Sequence, residues 1–404
     1  MININSSFLV QAADGHKIDI LKREILRTIV NRGELSITDI SKEVNLSVPT
    51  VTKFLGELIE HGFLTDYGYE NQPSSRRAML YGLRSGAGYF VGVDITHQDL
   101  KLAIMDFNGT IITVEVEPFA IGNDEASIDN ICARIKKFIA KNKLKNESII
   151  SVGVSLTGRI DSAAGYSYSF YYFDERPLAD MMSEKLGINV YIENDSRAMA
   201  YGEYLRGEGK GEDTMIFINL SWGFGVGMII GGKLFYGKSG FSGEYGHIPM
   251  VDNEILCQCG KRGCLETAVS GLAARRMIIE RLEQGSVSTL SPIYKENGDI
   301  GLQNIIEAVQ SEDMLAIEVI EIIGQALGKA VSGLINIFNP ETVVLGGNMS
   351  VIKDYLMLPM RSGVNKYSLR LVSRDTTIKA SQLGPNAAVI GACMLVRSKI
   401  LGLI

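Results

Sequence analysis

The residues best suited to chemistry in this sequence are one histidine and three cysteines within a stretch of 18 residues. His247 precedes a C-x-C-G-x-x-G-C run that contains Cys257, Cys259 and Cys264. Zinc prefers four tetrahedral Cys and His ligands, and a site filled by protein ligands alone is structural. The glycines in the run let the backbone curl so that the three sulfurs converge. The pattern predicts a structural Zn²⁺ site; the alternative is four unrelated side chains with ordinary thiols.

Carboxylates beside these ligands need a further explanation. Glu244 and Glu266 lie just outside the predicted metal set, and zinc alone does not account for them. Asn194 and Asp195 follow another apolar stretch, INVYI, and precede Ser-Arg-Ala-Met-Ala. From its position alone, Asp195 is a candidate N-cap for the helix that follows.

The N-terminal elements predict a DNA-binding arm. A helical pattern begins at Ile18 and ends at Gly33, and Ser36 and Ser47 are suitable N-caps for two further helices. Three helices with a short turn between the second and third form the helix-turn-helix arrangement. Two short strands around a polar tip follow as a wing, so we predict a winged helix-turn-helix domain over residues 1–85.

The predicted DNA contacts lie at the start of the third helix and on the wing. The first residues of a recognition helix reach base edges, and wing arginines reach phosphates or the minor groove. The predicted contacts are Ser47, Val48, Pro49, Thr50, Thr52, Lys53, Arg76 and Arg77. Residues 1–85 hold 10 basic and 10 acidic side chains, so DNA binding must depend on local placement of charge. The alternative is a winged helix that contacts only protein.

The remainder of the chain predicts an α/β body built twice. Three consecutive strands and a crossover helix recur in two halves, which we assign to residues 86–200 and 201–404. The sequence shows no signal peptide and no apolar run long enough to cross a membrane. Five cysteines, three of them clustered, fit a reducing compartment better than a disulfide framework, so we expect a cytoplasmic protein.

Several ordered motifs in the body resemble those of the ROK family, a group of bacterial sugar kinases and sugar-responsive repressors. The family's E-x-G-H and C-x-C-G-x-x-G-C-x-E patterns match residues 244–247 and 257–266. Further matches are GRID at 158–161, IENDSRAMAYGE at 192–203, LSWGFGVGM at 220–228, NPETVVLGG at 339–347 and GPNAAVIGA at 384–392. The resemblance covers roughly residues 86–400 and implies a two-lobed, RNase H-like and actin-like sugar kinase fold behind the winged helix.

The resemblance also implies which side chains bind sugar. Carried over position by position, the sugar contacts are Asn194, Asp195, Glu244, His247 and Glu266. In family kinases the residue matching Asp195 is the general base that accepts a proton from the sugar hydroxyl. His247 can serve both sites, because an imidazole binds metal through one nitrogen and donates from the other.

The expected nucleotide site departs from the family pattern. Family kinases carry D-x-G-G-T after the first strand, where small residues let backbone N–H groups approach phosphates. This chain has Asp94-Ile95-Thr96-His97-Gln98, and Phe224 stands where the kinases carry Thr. Glycines remain at 223, 225 and 227, either for phosphate or for a tight β-turn. We therefore expect no catalysis; the alternative is an active ATP-dependent sugar kinase with a DNA-binding arm.

The sugar-specificity segment is aromatic where many family members are rich in asparagine. Tyr171, Tyr172 and Phe173 either stack on a sugar face or fill the cleft. The wing is also different, because Ser-Arg-Arg-Ala replaces the Gly-Arg-Arg-Pro of many family repressors.

These features together predict a sugar-responsive transcriptional repressor. We expect it to bind operator DNA and a sugar or sugar phosphate, and to form a homodimer or homotetramer through the second lobe. A repressor controlled by a partner protein is a third possibility within the family.

Overall fold

The computed structural model describes residues 17–69 and 78–404. The predicted wing residues Arg76 and Arg77 lie outside these described residues. The chain forms two compact units, the first containing Met1–Glu193 and Ala392–Ile404 and the second Asn194–Gly391. The domain limits expected at residues 85 and 200 remain predictions.

The N-terminal elements form a helix-turn-helix with a small sheet, as predicted. They are α1 Lys17–Arg32, β1 Leu35–Ser36, α2 Ile37–Glu43, α3 Val48–Glu60, β2 Leu64–Tyr69 and β3 Met79–Leu83. Ser36 caps α2 by accepting the Asp39 N–H, and Ser47 caps α3 by accepting the Thr50 N–H. The three strands pair in the order β1-β3-β2.

One face of α3 forms part of the core of this arm. Val51, Phe54, Leu55 and Leu58 are buried. The apolar pattern also predicts Ile59 on the buried face, and this is wrong because Ile59 is 38% exposed. A helical period of 3.6 residues places positions 51, 54, 55 and 58 on one stripe, and Ile59 falls beyond its edge.

The first unit continues with a five-stranded sheet in the order β10-β7-β4-β5-β6. Its elements are β4 Tyr89–Ile95, β5 Asp99–Asp106, β6 Ile111–Pro118, α4 Glu125–Lys141, β7 Ile149–Leu156, β8 Ile160–Asp161, β9 Tyr166–Ser167, α5 Leu178–Leu186 and β10 Val190–Asn194. Strand β4 runs antiparallel to β5 and parallel to β7, while β8 and β9 form a separate hairpin.

The second unit repeats this sheet order as β13-β12-β11-β14-β15. Its elements are α6 Asp195–Arg206, β11 Thr214–Leu220, β12 Phe224–Ile230, β13 Lys233–Leu234, α7 Glu266–Val269, α8 Gly271–Glu283, α9 Ser291–Asn297, α10 Leu302–Gln310, α11 Met314–Phe338, β14 Thr342–Gly346, α12 Lys353–Tyr367, α13 Arg370–Ser373 and β15 Thr377–Ala380. A last helix, α14 Ala387–Leu401, closes the chain. The predicted twice-built α/β body is confirmed. Among the described residues, no helix is both long and apolar enough to span a bilayer.

Two glycines allow α6 and α14 to approach each other closely. A Cβ on Gly391 would overlap the Ala198 carbonyl, and a Cβ on Gly202 would lie 2.8 Å from the Ala387 oxygen. The backbone of one helix therefore rests on the backbone of the other.

We predict that Gly391→Val destabilises the protein, because its side chain forces these helices apart. Overpacking of this kind costs about 1–3 kcal/mol, and the melting temperature should fall by several degrees in thermal denaturation. Gly86→Ala is the matched control, because nothing lies within 4 Å of a Cβ there. Equal melting temperatures for the two variants would contradict the packing argument.

Candidate functional site

The predicted metal ligands meet in the second unit. The ligand atoms of His247, Cys257, Cys259 and Cys264 all lie within 4.8 Å of one another. The Cys257 sulfur is 3.6 Å from His247 Nδ1, and the Cys259 and Cys264 sulfurs are 3.5 Å apart. Tetrahedral zinc with ordinary Zn–S and Zn–N bond lengths requires ligand separations of roughly 3.6–3.8 Å. The donor set and its spacing therefore fit one zinc-sized cation.

Local backbone geometry explains why the loop closes. Gly260 and Gly263 adopt φ values of +85° and +73°, a region that other residues rarely occupy. The Cys257 N–H donates to the Lys261 carbonyl, and the Gly260 N–H donates to the Cys257 carbonyl. Burial raises the pKa of the Cys257 thiol, and a bound cation would favour the thiolate and oppose that shift.

The His247 ring has two different neighbours. Its Nδ1 faces the Cys257 sulfur, while its Nε2 lies 3.5 Å from Glu244 Oε2. This is the arrangement expected of a metal-binding histidine whose second nitrogen is oriented by a carboxylate. Nε2 thus faces Glu244, and the expectation that this imidazole also contacts a sugar remains a prediction.

The two strands β11 and β12 bring Glu266 and Asp195 to the same turn. Glu266 Oε2 accepts the Phe224 N–H at 3.1 Å, at the start of β12. Asn219, near the end of β11, donates its amide to Asp195 Oδ2 at 3.3 Å. Because Asn219 pairs directly with Gly225 across the hairpin, both carboxylates belong to one end of the sheet.

Asp195 is held by donors and does not cap its helix. The N-cap of α6 is Asn194, whose side-chain oxygen accepts the Arg197 N–H at 3.1 Å. The Asn194 amide and the Ser196 N–H both donate to Asp195 Oδ1, at 2.9 and 2.7 Å. The capping role considered for Asp195 therefore belongs to its neighbour. Sequence reasoning missed Asn219, which had no distinguishing signal at the end of an apolar strand.

Helix α6 also positions the loop that carries Glu244. The buried Arg197 side chain donates to the Gly240 carbonyl at 2.6 Å, and its guanidinium carbon lies 5.6 Å from the Tyr236 ring centroid. Gly243 has a φ of +88°, and a Cβ there would overlap the Val226 carbonyl. The loop is thus fixed against both α6 and β12.

Two glycines of the LSWGFGVGM run allow helix α6 to pack closely on strand β12. A Cβ on Gly225 would overlap the Ser196 hydroxyl, and one on Gly227 would lie 2.5 Å from the Ala200 Cβ. A Cβ on Gly223 would lie 3.1 Å from Glu266 Oε2. Gly225 and Gly227 lie within strand β12, so the tight β-turn considered for them is wrong.

The turn after β4, where a kinase would hold phosphate, is closed on itself. The Thr96 N–H donates to the Asp99 carbonyl, and the Gln98 and Asp99 N–H groups donate to the Thr96 hydroxyl. Asp94 is buried, with Ser155 donating to its Oδ1 at 3.0 Å and Lys101 Nζ 3.9 Å from its Oδ2. Burial raises the pKa of Asp94, and the Lys101 charge opposes that shift.

The three aromatic residues of the specificity segment have different environments. Tyr171 is 2% exposed and shares a hydrogen bond of 3.1 Å with Ser127, and burial raises its pKa to about 12. Tyr172 and Phe173 are exposed. The segment borders a cavity of about 240 Å³, lined by Tyr166, Ser167, Tyr168, Tyr171, Tyr172, Asp174, Arg176 and Leu178. Tyr171 is therefore a core residue, whereas the other two remain able to stack on a ligand.

The candidate DNA-reading side chains share the outer face of α3. Ser47, Val48, Pro49, Thr52 and Lys53 are exposed, and Thr50 is half-buried. Thr50 shares a 2.8 Å hydrogen bond with Ser47 at the helix start. This polar face is opposite the buried stripe of the same helix, as a recognition helix requires.

Comparison with known proteins agrees with this architecture of a DNA-binding arm and a sugar-kinase-like body. A winged helix-turn-helix DNA-binding model matches residues 18–65, and the ROK family model matches residues 90–399. The chain belongs to the ROK family.

Full-length relatives include regulators as well as a kinase. A xylose repressor of Caldicellulosiruptor bescii is 29% identical, with 95% of this chain and 96% of the relative covered. A glucokinase of Halalkalibacterium halodurans is 30% identical over 77% of this chain and 96% of its own length. A crystal structure of a ROK family transcriptional regulator, a homologue of the E. coli MLC protein, superposes with a TM-score of 0.79. That regulator is 25% identical, with 95% of this chain and 96% of its own covered.

We predict that Cys259→Ser abolishes zinc binding, since a closed structural site needs all four ligands. The purified variant should contain less than about a tenth of the wild-type zinc by elemental analysis. Its melting temperature should fall by at least about 5 °C, because metal-binding energy stabilises the folded loop.

Cys132→Ser is the control for that variant, because Cys132 lies in the first unit outside the cluster. It should retain full zinc content. A Cys259→Ser protein with unchanged metal and melting temperature would exclude the proposed ligand set.

Proposed function

We propose that this protein is a sugar-responsive transcriptional repressor that does not phosphorylate its ligand. The observation that carries the proposal is the fusion of a winged helix with an exposed recognition face to a ROK body with candidate sugar-binding carboxylates. The arm binds operator DNA, and a sugar or sugar phosphate bound to the body lowers its affinity for that DNA. The ligand can change this equilibrium only through different affinities for the two states.

The proposed sugar site consists of Asn194, Asp195, Glu244, His247 and Glu266. This site is supported by the hydrogen bonds that Asp195 and Glu266 accept from the β11–β12 hairpin. It is also supported by the contact between His247 and Glu244. Carboxylates accept hydrogen bonds from sugar hydroxyls, and such charge-assisted bonds are the stronger kind. Zinc, when bound by His247 and the three cysteines, supplies no chemistry beyond a rigid link between the two halves of this loop.

The absence of kinase activity is supported by the closed turn after β4. Three N–H groups there are already used within the turn, so they do not point at a phosphate. The Lys101 ammonium also stands beside the Asp94 carboxylate. The rival function, an ATP-dependent sugar kinase with a DNA arm, is favoured by the glucokinase relative and by the retained Asp195.

The proposed DNA contacts are those on the exposed face of α3, with Arg76 and Arg77 added from the sequence. Two copies of the arm are needed for a twofold operator, so we propose a homodimer or homotetramer. The protein is proposed to act in the cytoplasm, where operator and sugar are both present.

We predict that Asp195→Asn lowers sugar affinity by about 10–100-fold, as expected for loss of a hydrogen-bonding charge. The helix should persist, because Asn194 supplies the cap. Calorimetric titration with glucose, xylose, N-acetylglucosamine and their phosphates measures the effect. Asp180→Asn, on an exposed turn of α5, is the control and should bind as wild type. Equal affinities for all three proteins would remove Asp195 from the site.

We predict that Lys53→Ala weakens operator binding and reduces the slope of log K against log salt by about one. Lys53 is exposed at the start of the recognition helix, where a phosphate contact is expected. Gel-shift titration at several salt concentrations measures both quantities. Lys137→Ala, an exposed lysine of α4, should leave both unchanged. A salt slope equal to that of wild type would exclude Lys53 as a phosphate contact.

The function as a whole is tested by sequencing the host DNA fragments that the purified protein retains, with and without each sugar. Enrichment of a defined site that one sugar releases is the expected result. A coupled ATP assay on the same sugars tests the rival, and turnover well above background would overturn the proposal. Retention of no fragment under any condition would also overturn it.

A further inference from the structure

The first helix of the DNA arm is attached to the last helix of the chain. Arg23 in α1 donates through Nη2 to the carbonyl oxygen of Ile400, at 3.1 Å. Ile400 is 2% exposed and lies in the last turn of α14. A hydrogen bond from a charged donor to a partly buried carbonyl is stronger than a neutral one. The contact joins residues 377 positions apart in sequence.

Tyr191 extends this contact to strand β10. The Lys399 ammonium, next to Ile400, lies 4.3 Å from the centroid of the Tyr191 ring. Burial raises the pKa of Tyr191, and the nearby Arg23 guanidinium opposes that shift, so Arg23 and Tyr191 are electrostatic neighbours. Arg23, Tyr191, Lys399 and Ile400 thus form one cluster, which we name the arm junction.

Strand β10 leads from the arm junction to the proposed sugar residues. Glu193, two residues beyond Tyr191, is 6% exposed and accepts the Ser162 hydroxyl at 2.6 Å. Burial lowers the pKa of Lys399, and the Glu193 carboxylate acts against that shift. Asn194 and Asp195 follow directly in the chain. Only Ile192 and Glu193 therefore separate Tyr191 from the capping residue of α6, Asn194.

A second set of contacts links α14 to the other end of the arm through Phe107. Arg397 donates from Nε to the Phe107 carbonyl at 3.0 Å and from Nη2 to the Asn108 carbonyl at 3.2 Å. Phe107 is fully buried, and its ring centroid lies 5.6 Å from that of Phe63, which follows α3. Helix α14 is therefore joined to α1 directly through Ile400, and to Phe63 beside α3 through Phe107.

The same two segments carry the chain across the boundary between its compact units. The first unit ends at Glu193 in β10, and it resumes at Ala392 within α14. Strand β10 and helix α14 each contain residues of the arm junction. A ligand-induced change in the backbone of either one can therefore reach the junction along the chain.

From these contacts we infer that Arg23 is a positioning residue that transmits the ligand-bound state of β10 and α14 to the DNA arm. The inference rests on the proposed function, since it names the route by which sugar alters operator affinity. Coupling between two sites typically changes affinity 5–150-fold, and it requires an element that both sites bias. Arg23 donates to α14 and is an electrostatic neighbour of Tyr191 in β10, while belonging to the arm itself. Its removal should therefore uncouple the sites and leave each one intact.

The test compares Arg23→Met with Arg27→Met in the full-length protein. Methionine keeps the length of the side chain but removes the donor and the charge. Arg27 is on the same helix, with a side chain 51% exposed and a loose pairing to Glu24 at 3.8 Å. The DNA probe is a duplex selected by the wild-type protein from a random pool. The sugar probes are D-xylose, N-acetylglucosamine and N-acetylglucosamine 6-phosphate.

In Arg23→Met, sugar affinity and operator affinity without sugar should each remain within about threefold of wild type. The ratio of operator Kd with sugar to that without sugar should fall to below about 2, whereas Arg27→Met keeps the wild-type ratio. A wild-type ratio in Arg23→Met would overturn the inference. Loss of operator binding without sugar would overturn it too, because Arg23 would then build the arm and transmit nothing.

Hydrogen exchange without any ligand gives an independent decision. Arg23→Met should accelerate amide exchange in β10 and in the last turn of α14 as well as in α1. Acceleration confined to α1 would overturn the inference. If no sugar shifts operator binding of the wild-type protein, the proposed function fails by itself, and this exchange experiment still decides whether the junction links the segments.

Discussion

The organisation of the second unit depends on the close packing of helix α6 on strand β12. Gly225 and Gly227 have no side chains to hold the helix away, so Ser196 and Ala200 lie against the strand. This places Asp195, the first residue of α6, within reach of the Asn219 amide at the end of β11. The same hairpin donates the Phe224 N–H to Glu266. The small volume of these two glycines therefore helps to place both carboxylates at the same hairpin.

The two sheets have the same strand order, yet their first turns have different properties. In the second unit, the β11–β12 turn directs an N–H group to the Glu266 side chain from outside the hairpin. In the first unit, the β4–β5 turn uses its N–H groups internally, and a lysine stands beside the buried Asp94. The repeat fixes the scaffold, and a few turn residues determine whether a backbone donor is available to a ligand.

The sequence predicts the fold and the metal cluster well because both depend on spacing. Alternating apolar strands identify the repeated sheet, and ligand types separated by turn-forming glycines identify His247 and the three cysteines. It does not predict Asn219, whose role arises only when β11 and α6 come together. Nor does it decide between Asn194 and Asp195 as the cap of α6, since both residues are good caps and only the backbone register separates them. The prediction that Ile59 is buried is also wrong, because this residue lies at the edge of the apolar stripe of α3.

The closed turn after β4 has a consequence for signalling. A kinase removes its sugar from the pool that it samples, so its occupancy depends on turnover and on the supply of nucleotide. The repressor proposed above does not phosphorylate its ligand and therefore releases it unchanged. Under the proposed function, occupancy then follows ligand concentration at equilibrium and is independent of the energy state of the cell. The protein would report how much sugar is present, rather than how fast it is being consumed.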